Sequence, residues 1–281
     1  MSAGAAFGAR LRAVTAARGS LCVGIDPHPQ LLAGWGLADD PAGLRSFAAT
    51  VVGTLGGQVA VFKPQSAFFE RHGSRGIAVL EETLALIREA GAIALLDVKR
   101  GDIGSTAAAY ASAYLDPGSP LAADAITASP YLGWGSLRPI LDLAAAHGRG
   151  VFVLALTSNP EGPQVQHART GSGSTVAQEI LDAVAAANAG TDPLGAVGVV
   201  LGATIEAGGH RFDHLNGPIL APGYGAQGGT AAGLRELFGP ALPDVLPATA
   251  RGLLRLGPDP ARLRTEADRL RRELPDPSAM T

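Results

Sequence analysis

The sequence predicts an α/β fold, a (β/α)8 barrel with one extra helix at its N-terminus. Eight short apolar runs recur along the 281 residues, and helix-like segments separate them. The runs are apolar throughout rather than alternating, as expected of parallel strands buried on both faces. No Gly-x-Gly-x-x-Gly turn follows the first run, which argues against an open dinucleotide-binding sheet. Because strand–helix units fill the chain and no linker divides it, we expect one TIM-barrel domain over residues 1–281.

Each strand of the barrel is predicted from one apolar run. The eight predicted strands, in chain order, are residues 21–25, 59–62, 93–98, 123–128, 150–156, 196–202, 218–221 and 244–248.

The helices are predicted from apolar residues spaced three and four apart. Gly91 and Gly148 stand where helix-ending glycines belong. The extra helix is predicted near residues 7–17. The helices that follow the strands are predicted at 44–55, 77–90, 106–115, 136–146, 175–187, 206–215, 231–237 and 260–274.

Composition excludes several classes of protein. With 47% hydrophobic residues the chain can build a large core, and a net charge of −3 provides no basic surface for nucleic acid. A single cysteine excludes an internal disulfide and any multi-cysteine metal site. No apolar run approaches the ~18 residues of a membrane span. The N-terminal stretch also lacks the apolar segment of a secretory signal, so we expect a cytoplasmic protein.

Polar residues at the carboxyl ends of the strands are the candidate site residues, because barrels of this class place their active sites there. Lys and Arg total 22, yet only two are lysines, Lys63 and Lys99, and both fall at this face. The full set is Asp26, Lys63, Asp97, Lys99, Asp102, Thr127, Ser129, Ser158, Thr204, Gln227 and Arg251.

The densest charged cluster is Asp97-Val98-Lys99-Arg100-Gly101-Asp102. Strand side chains alternate with period two, so Asp97 and Lys99 are predicted to point together into the barrel mouth. An ammonium between carboxylates keeps its charge, which suits a proton donor or a cation that stabilises a developing anion. It suits a Schiff-base lysine poorly, because that chemistry needs a neutral amine. The plain alternative is a structural ion pair, with Asp102 capping the next helix.

Asp26 and Lys63 end the first and second predicted strands. Because these strands are neighbours, we expect the two side chains to lie close together, as an ion pair or as hydrogen-bonding groups for a sugar hydroxyl. A turn residue before Pro27 is the alternative for Asp26.

A phosphate site is predicted after the seventh and eighth strands, where barrels of this class often hold one. A glycine-rich loop, 221–230, leads into a helix, and backbone amides of such loops approach anions closely. Arg251 follows the eighth strand. Gln227, the Gly228 backbone and Arg251 are therefore predicted to hold a phosphate monoester.

Three further features leave alternatives open. The long segment 157–174 is a lid or a tolerated surface insertion, and Ser158 at its start is predicted to face a heterocycle. His210 and His214 have metal-ligand spacing on a predicted helix, but no third ligand is apparent, so a solvated helix face is the preferred interpretation. His28 lines the site or occupies a turn.

Several motifs together resemble the orotidine 5'-phosphate decarboxylase family, in particular a bacterial subgroup with a longer chain. They occur in the family's order and cover most of residues 20–255. The motifs are Asp97-x-Lys99-x-x-Asp102-Ile103-Gly104-Ser105-Thr106, Phe62-Lys63-Pro64-Gln65, Pro130-Tyr131-Leu132-Gly133, Thr157-Ser158-Asn159-Pro160 and Pro222-Gly223-Tyr224-Gly225-Ala226-Gln227-Gly228-Gly229.

The resemblance implies decarboxylation of orotidine 5'-monophosphate to UMP without a metal or cofactor. It implies that Lys99 stabilises and protonates the C6 carbanion, beside Asp97. It also implies a homodimer in which Asp102 and Thr106 enter the partner's site. The remaining implied contacts are Asp26 and Lys63 with the ribose, Ser158 with the pyrimidine, and Gln227, Gly228 and Arg251 with the phosphate.

Two other functions stay open from the residues alone. The Asp-x-Lys-x-x-Asp motif is shared with related sugar-phosphate decarboxylases and isomerases, and a lyase that uses Lys99 or Lys63 as a Schiff base is an alternative. A nucleotide-binding barrel without catalysis is the other.

Overall fold

The computed structural model describes residues 6–275, so residues 1–5 and 276–281 of the predicted domain lie outside the described part. Eight parallel strands close into a barrel in chain order, which confirms the predicted (β/α)8 fold. The strands are β1 (Cys22–Ile25), β2 (Val61–Pro64), β3 (Ile93–Arg100), β4 (Ala125–Ala128), β5 (Gly150–Leu156), β6 (Val197–Leu201), β7 (Ile219–Pro222) and β8 (Val245–Thr249).

Helices surround the barrel, and several short ones were not predicted. The helices are α1 (Phe7–Arg18), α2 (Pro29–Gly34), α3 (Pro41–Leu55), α4 (Ala67–Glu70), α5 (Gly73–Glu89), α6 (Gly104–Leu115), α7 (Arg138–Ala146), α8 (Pro163–Gln166), α9 (Val176–Ala187), α10 (Ala231–Phe238), α11 (Arg251–Leu254) and α12 (Pro260–Glu273). Short 3-10 helices precede α7 and follow α10, at Trp134–Leu137 and Gly239–Asp244.

The extra helix α1 covers the amino-terminal end of the barrel. Its buried Phe7, Leu11 and Val14 belong to the same apolar cluster as residues inside the barrel. The ring of Phe7 meets that of Phe152 edge-on, with 6.1 Å between centroids. A second, larger apolar cluster fills the layer between strands and helices. With one end covered by α1, the opposite end is left for the site.

The predicted helix at 206–215 is wrong. The chain between β6 and β7 has no regular helix, and Gly208 and Gly209 adopt φ values of +56° and +85°. These left-handed conformations suit glycine and interrupt a right-handed helix. His210 and His214 therefore do not lie on a helix. The helix that both interpretations of this pair required, as metal ligands or as a solvated helix face, is absent from the described residues 206–215.

The strands β2 and β3 extend further than predicted, and they include Lys63 and Lys99 rather than ending before them. The pairing of β3 with β4 shifts register between Leu96 and Arg100. Lys99, at this irregularity, has a φ of +46°, which is uncommon for a residue with a side chain. Lys99 therefore leaves regular strand geometry at the point where the barrel opens.

Two further observations concern the whole described chain. Among residues 6–275, no helix is long and apolar enough to cross a membrane. The cytoplasmic location stays a prediction. Cys22 is fully buried on β1, and burial raises the pKa of its thiol to about 12.

Candidate active site

Asp97 lies at the centre of a charged network at the carboxyl ends of the strands. Its Oδ1 accepts a 2.7 Å hydrogen bond from Lys99 Nζ and a 2.8 Å bond from the Thr127 hydroxyl. Its Oδ2 accepts a 3.1 Å bond from Lys63 Nζ. Asp97, Lys63 and Thr127 are buried, whereas the Lys99 side chain is 46% exposed. The network thus presents one ammonium group to the open side and keeps the second inside.

Asp26 completes the network from β1. Lys63 Nζ lies 3.8 Å from Asp26 Oδ1, which confirms that the two side chains approach each other. That oxygen is buried and accepts no hydrogen bond from the described residues. A buried acceptor without a donor is costly, so this atom is suited to a hydroxyl or amide of a bound ligand.

Both buried charges of the network keep their ionised forms. Burial disfavours the charge of Lys63, but Asp26 and Asp97 outweigh it, and the pKa of Lys63 lies above its ordinary value. Burial likewise disfavours the Asp97 carboxylate, but Lys63 and Lys99 reverse the effect and hold the Asp97 pKa well below its usual range. At neutral pH the site therefore holds charges of both signs.

Two adjoining cavities open on this network. One of about 330 Å³ is lined by Asp97, Lys99, Thr127 and Ser158, among others. The other, of about 310 Å³, is lined by Gln227, Arg251 and their neighbours on the loops after β7 and β8. Asp26, Lys63 and Pro222 line both cavities, so the two adjoin there. Together they form a cleft with a charged network at one end and an arginine at the other.

The glycine-rich loop after β7 folds tightly on itself. Gly223, Gly225 and Gly228 all have φ values between +82° and +107°, which other residues rarely adopt. The amide of Gly228 donates to the carbonyl of Gly225 at 2.9 Å, so in this conformation it is not free for a ligand. Gln227 is exposed on the loop, and Arg251 is exposed at the first position of α11. The phosphate roles of these residues stay predictions.

The segment 157–174 is folded, with α8 inside it. Gln166 on α8 holds the start of the segment, since its Oε1 accepts from the Thr157 amide at 3.0 Å and its Nε2 donates to the Thr157 hydroxyl at 2.7 Å. Ser158 follows directly and lines the 330 Å³ cavity, together with Asn159. The pyrimidine contact of Ser158 stays a prediction.

Asp102 and Thr106, both within the described residues, lie outside the lining of the two cavities. Asp102 accepts a hydrogen bond from the Ile103 amide at 2.8 Å, and Thr106 is exposed in the first turn of α6. Both sit on the rim beyond β3.

The structure shows the contacts of the three histidines considered from the sequence. His28 lines the 310 Å³ cavity and packs on Phe68 with 4.2 Å between ring centroids. His210 Nε2 lies 2.8 Å from the Thr175 hydroxyl, and His214 Nε2 lies 3.2 Å from Asp182. The last two therefore connect the irregular segment after β6 to the α9 region.

Three further residues line the cleft, Gln65, Thr127 and Asn159. The sequence placed Thr127 among the candidate residues and Gln65 and Asn159 in family-like motifs, but it assigned a specific role to none of them. Gln65 lies two positions after Lys63, and Thr127 lies near the end of the apolar strand β4. For both residues, the alternation of side chains along a strand was the signal that could have predicted a side chain pointing into the cleft. Asn159 lies in an irregular segment, where the sequence holds no comparable signal for side-chain direction.

The fold and the network define a class of protein, a (β/α)8-barrel enzyme with an Asp–Lys network at the carboxyl ends of its strands. Residues 19–244 match the family described as orotidine 5'-phosphate decarboxylase / HUMPS. The chain belongs to that family.

Relatives of known name and structure agree with this assignment. An orotidine 5'-phosphate decarboxylase of Salinispora arenicola is 65% identical over 264 residues, which cover 94% of this chain and 95% of the relative. One of Streptomyces coelicolor is 58% identical over 268 residues, covering 95% and 96%. The crystal structure of a Streptomyces avermitilis protein assigned as an orotidine 5'-phosphate decarboxylase has a TM-score of 0.95 and 57% identity, and the match covers 99% of this chain and 97% of that chain. The structure of Leishmania donovani OMP decarboxylase has a TM-score of 0.74 and 31% identity, covering 95% and 99%.

Proposed function

We propose that this protein converts orotidine 5'-monophosphate to UMP and carbon dioxide, a decarboxylation late in pyrimidine nucleotide synthesis, and that it uses no metal or cofactor. The observation that carries the proposal is the hydrogen bond between Lys99 Nζ and a buried, ionised Asp97 at the wall of a cleft. Family membership and full-length relatives of that name support the choice of substrate.

The chemistry follows from the charges. The bond between C6 and the carboxylate breaks, carbon dioxide leaves, and the electron pair stays on C6 of the pyrimidine. The Lys99 ammonium stabilises this carbanion as it forms and then transfers a proton from Nζ to C6, which gives UMP and a neutral amine that regains a proton from water. A preorganised cation stabilises charge that develops in the transition state without solvent reorganisation.

Asp97 contributes through its own charge. Its carboxylate is held ionised by two lysines, and we propose that it lies beside the substrate carboxylate in the complex. Repulsion between the two carboxylates disfavours the bound ground state and diminishes as carbon dioxide leaves. Asp97 also orients Lys99 through their hydrogen bond.

Contacts far from the reacting carbon hold the substrate. We propose that Asp26 Oδ1, which accepts no hydrogen bond from residues 6–275, accepts one from a ribose hydroxyl next to Lys63, and that Ser158 contacts the pyrimidine. Arg251 and Gln227 then bind the phosphate from the adjoining cavity, with the Gly228 amide available only after the loop rearranges. Binding energy from such remote groups supports catalysis at the reacting centre.

We propose a homodimer in which the barrel mouths face each other. All four exposed large hydrophobic residues in the described chain, Ile103, Tyr131, Leu132 and Val165, lie in segments that follow β3, β4 and β5. Tyr131 and Val165 line one common cavity at this end of the barrel, and exposed apolar side chains grouped in this way support an interaction surface there. Asp102 and Thr106 flank Ile103 on the same rim, so a second copy placed there receives them in its own cleft.

Three other functions are less well supported. A Schiff-base lyase needs a neutral lysine, whereas the raised pKa of Lys63 and the carboxylate beside Lys99 favour ammonium groups. The family description also covers HUMPS enzymes, which makes a sugar phosphate the nearest alternative substrate. A binding protein without catalysis does not require an intact Lys99–Asp97 pair.

The test is direct. Purified protein is mixed with orotidine 5'-monophosphate in the presence of a chelator, and loss of the orotate ultraviolet band is followed while UMP is quantified. We expect stoichiometric conversion to UMP. A folded protein that binds UMP but leaves the substrate unchanged would overturn the proposal and favour a sugar-phosphate enzyme or a binding protein.

A further inference from the structure

Thr127 occupies a position in the network that the proposed chemistry does not use. It is the penultimate residue of β4, its side chain is buried, and the hydroxyl is the only polar group of that side chain. That hydroxyl accepts a 2.9 Å hydrogen bond from the backbone amide of Lys99 and donates a 2.8 Å bond to Asp97 Oδ1. One oxygen atom therefore contacts both members of the catalytic pair.

The Lys99 amide needs this acceptor because the regular backbone hydrogen bonding between β3 and β4 is interrupted at Lys99. The register of β3 against β4 shifts between Leu96 and Arg100, and Lys99 has a φ of +46°. Buried backbone amides are almost always hydrogen-bonded, and left-handed conformations persist only where the surroundings hold them. At Lys99 the Thr127 hydroxyl takes the place of a strand carbonyl.

The bonds form a closed circuit. The Lys99 amide donates to Thr127, Thr127 donates to Asp97 Oδ1, and the same oxygen accepts from Lys99 Nζ at 2.7 Å. Both ends of Lys99, its backbone and its ammonium, are thereby fixed relative to one carboxylate oxygen. The Lys99 side chain is 46% exposed, so packing alone leaves it considerable freedom.

We propose that Thr127 is a positioning residue that holds Lys99 in its strained backbone conformation and thereby aims its ammonium at the reacting carbon. The inference rests on the proposed function, since the reacting carbon is that of the proposed substrate. Thr127 acts through Lys99 and Asp97 and needs no contact with substrate of its own. Its loss should therefore reduce the rate of the chemical step more than it weakens binding.

The experiment compares four variants with wild type. Thr127→Val replaces the hydroxyl by a methyl group of similar size and removes both bonds, Thr127→Ala removes them without added bulk, and Thr127→Ser keeps the hydroxyl. Thr83→Val is the matched control, because Thr83 is equally buried but bonds to the Val79 carbonyl within α5, away from the cleft. Each is assayed for kcat, for UMP dissociation constant and for thermal midpoint.

We expect kcat to fall about 10- to 100-fold in Thr127→Val and Thr127→Ala, as for a lost buried hydrogen bond, with UMP affinity nearly unchanged. Thr127→Ser should recover most of the rate, and Thr83→Val should keep all of it. Should Thr127→Val fail to fold, Thr127→Ala and Thr127→Ser make the same comparison.

Three kinetic or binding results overturn the proposal. They are an unchanged kcat without the hydroxyl, a Thr127→Ser rate as low as that of Thr127→Val, or a loss of UMP affinity as large as the loss of rate.

A crystal structure of Thr127→Val separates this inference from the proposed function. We expect Lys99 to leave its positive φ and its Nζ to leave Asp97, whatever the substrate. An unmoved Lys99 contradicts the positioning role, whereas absence of wild-type turnover contradicts only the proposed function.

Discussion

Lys63 Nζ lies 3.1 Å from Asp97 Oδ2, and both side chains are less than a tenth exposed. An ion pair so deeply buried loses most of its hydration, and it persists only because each charge has further partners. Asp97 has Lys99 and Thr127, while Lys63 has Asp26 nearby. The buried Lys63–Asp97 ion pair therefore fixes the carboxylate to which the exposed Lys99 is hydrogen-bonded.

The first prediction concerns stability in acid. The Asp97 pKa is depressed in the folded protein, so its contribution is present above the unfolded value of about 4 and is lost as pH falls below it. One such group contributes a slope of up to ~1.4 kcal/mol per pH unit. Lys63 has a raised pKa and gives the opposite dependence, losing its contribution only in strong alkali above about pH 10.

Urea unfolding of wild type and Asp97→Asn between pH 5 and pH 2 measures this slope. The difference in unfolding free energy between the two proteins should shift against wild type as the solution becomes more acidic. A difference that stays constant over that interval contradicts a depressed Asp97 pKa.

The second prediction concerns Arg251. Arg251→Ala should lower kcat/KM for orotidine 5'-monophosphate about 10- to 100-fold, because a charge-assisted bond to phosphate is lost. Affinity for uridine, which has no phosphate, should not change. Arg262→Ala, on the exposed face of α12, is the matched control. Unchanged kinetics of Arg251→Ala would place the phosphate elsewhere.

The third prediction concerns the rim. Lys99→Ala and Asp102→Ala chains should each be inactive, and mixing them should restore part of the activity, since a hybrid dimer contains one site with both residues intact. Native mass spectrometry verifies that hybrids form. Hybrids without activity argue against shared sites, and a monomer at micromolar concentration argues against the dimer itself.

The fourth prediction concerns the lone cysteine. Burial raises the pKa of the Cys22 thiol to about 12, so at pH 8 the folded protein should not react with a thiol-specific disulfide reagent. Unfolding in urea should expose one reactive thiol per chain. Rapid labelling of the folded protein contradicts the burial of β1 inside the barrel.

The strands could be predicted because a strand buried on both faces is a short, uninterrupted run of apolar residues in the sequence. Each observed strand overlaps its predicted run, and β5 has the predicted bounds. The prediction of a helix at 206–215 was wrong because it rested on apolar spacing, whereas the left-handed backbone of Gly208 and Gly209 interrupts a helix there. The short helices α4, α8 and α11 are too brief to show a period.

The geometry of the candidate site could also be predicted only in part from the sequence. Strand alternation correctly placed Asp97 and Lys99 on one side, but the observed reason differs, since Lys99 leaves the strand conformation at a register shift. Positive φ at a lysine has no signature in composition or spacing. The role inferred here for Thr127 depends on that backbone, so it could come only from the structure.

In the proposed reaction Lys99 carries the chemical step, and the single-turnover rate of Lys99→Ala tests this role most directly. Enzyme in excess is mixed with orotidine 5'-monophosphate, and UMP is quantified after quenching. We predict a rate at least about a thousandfold below wild type, because an electrostatic group at the reacting centre is lost, with a folded protein that still binds UMP. A Lys99→Ala rate within about tenfold of wild type, well short of that loss, would contradict this role of Lys99 and assign the chemistry to another group.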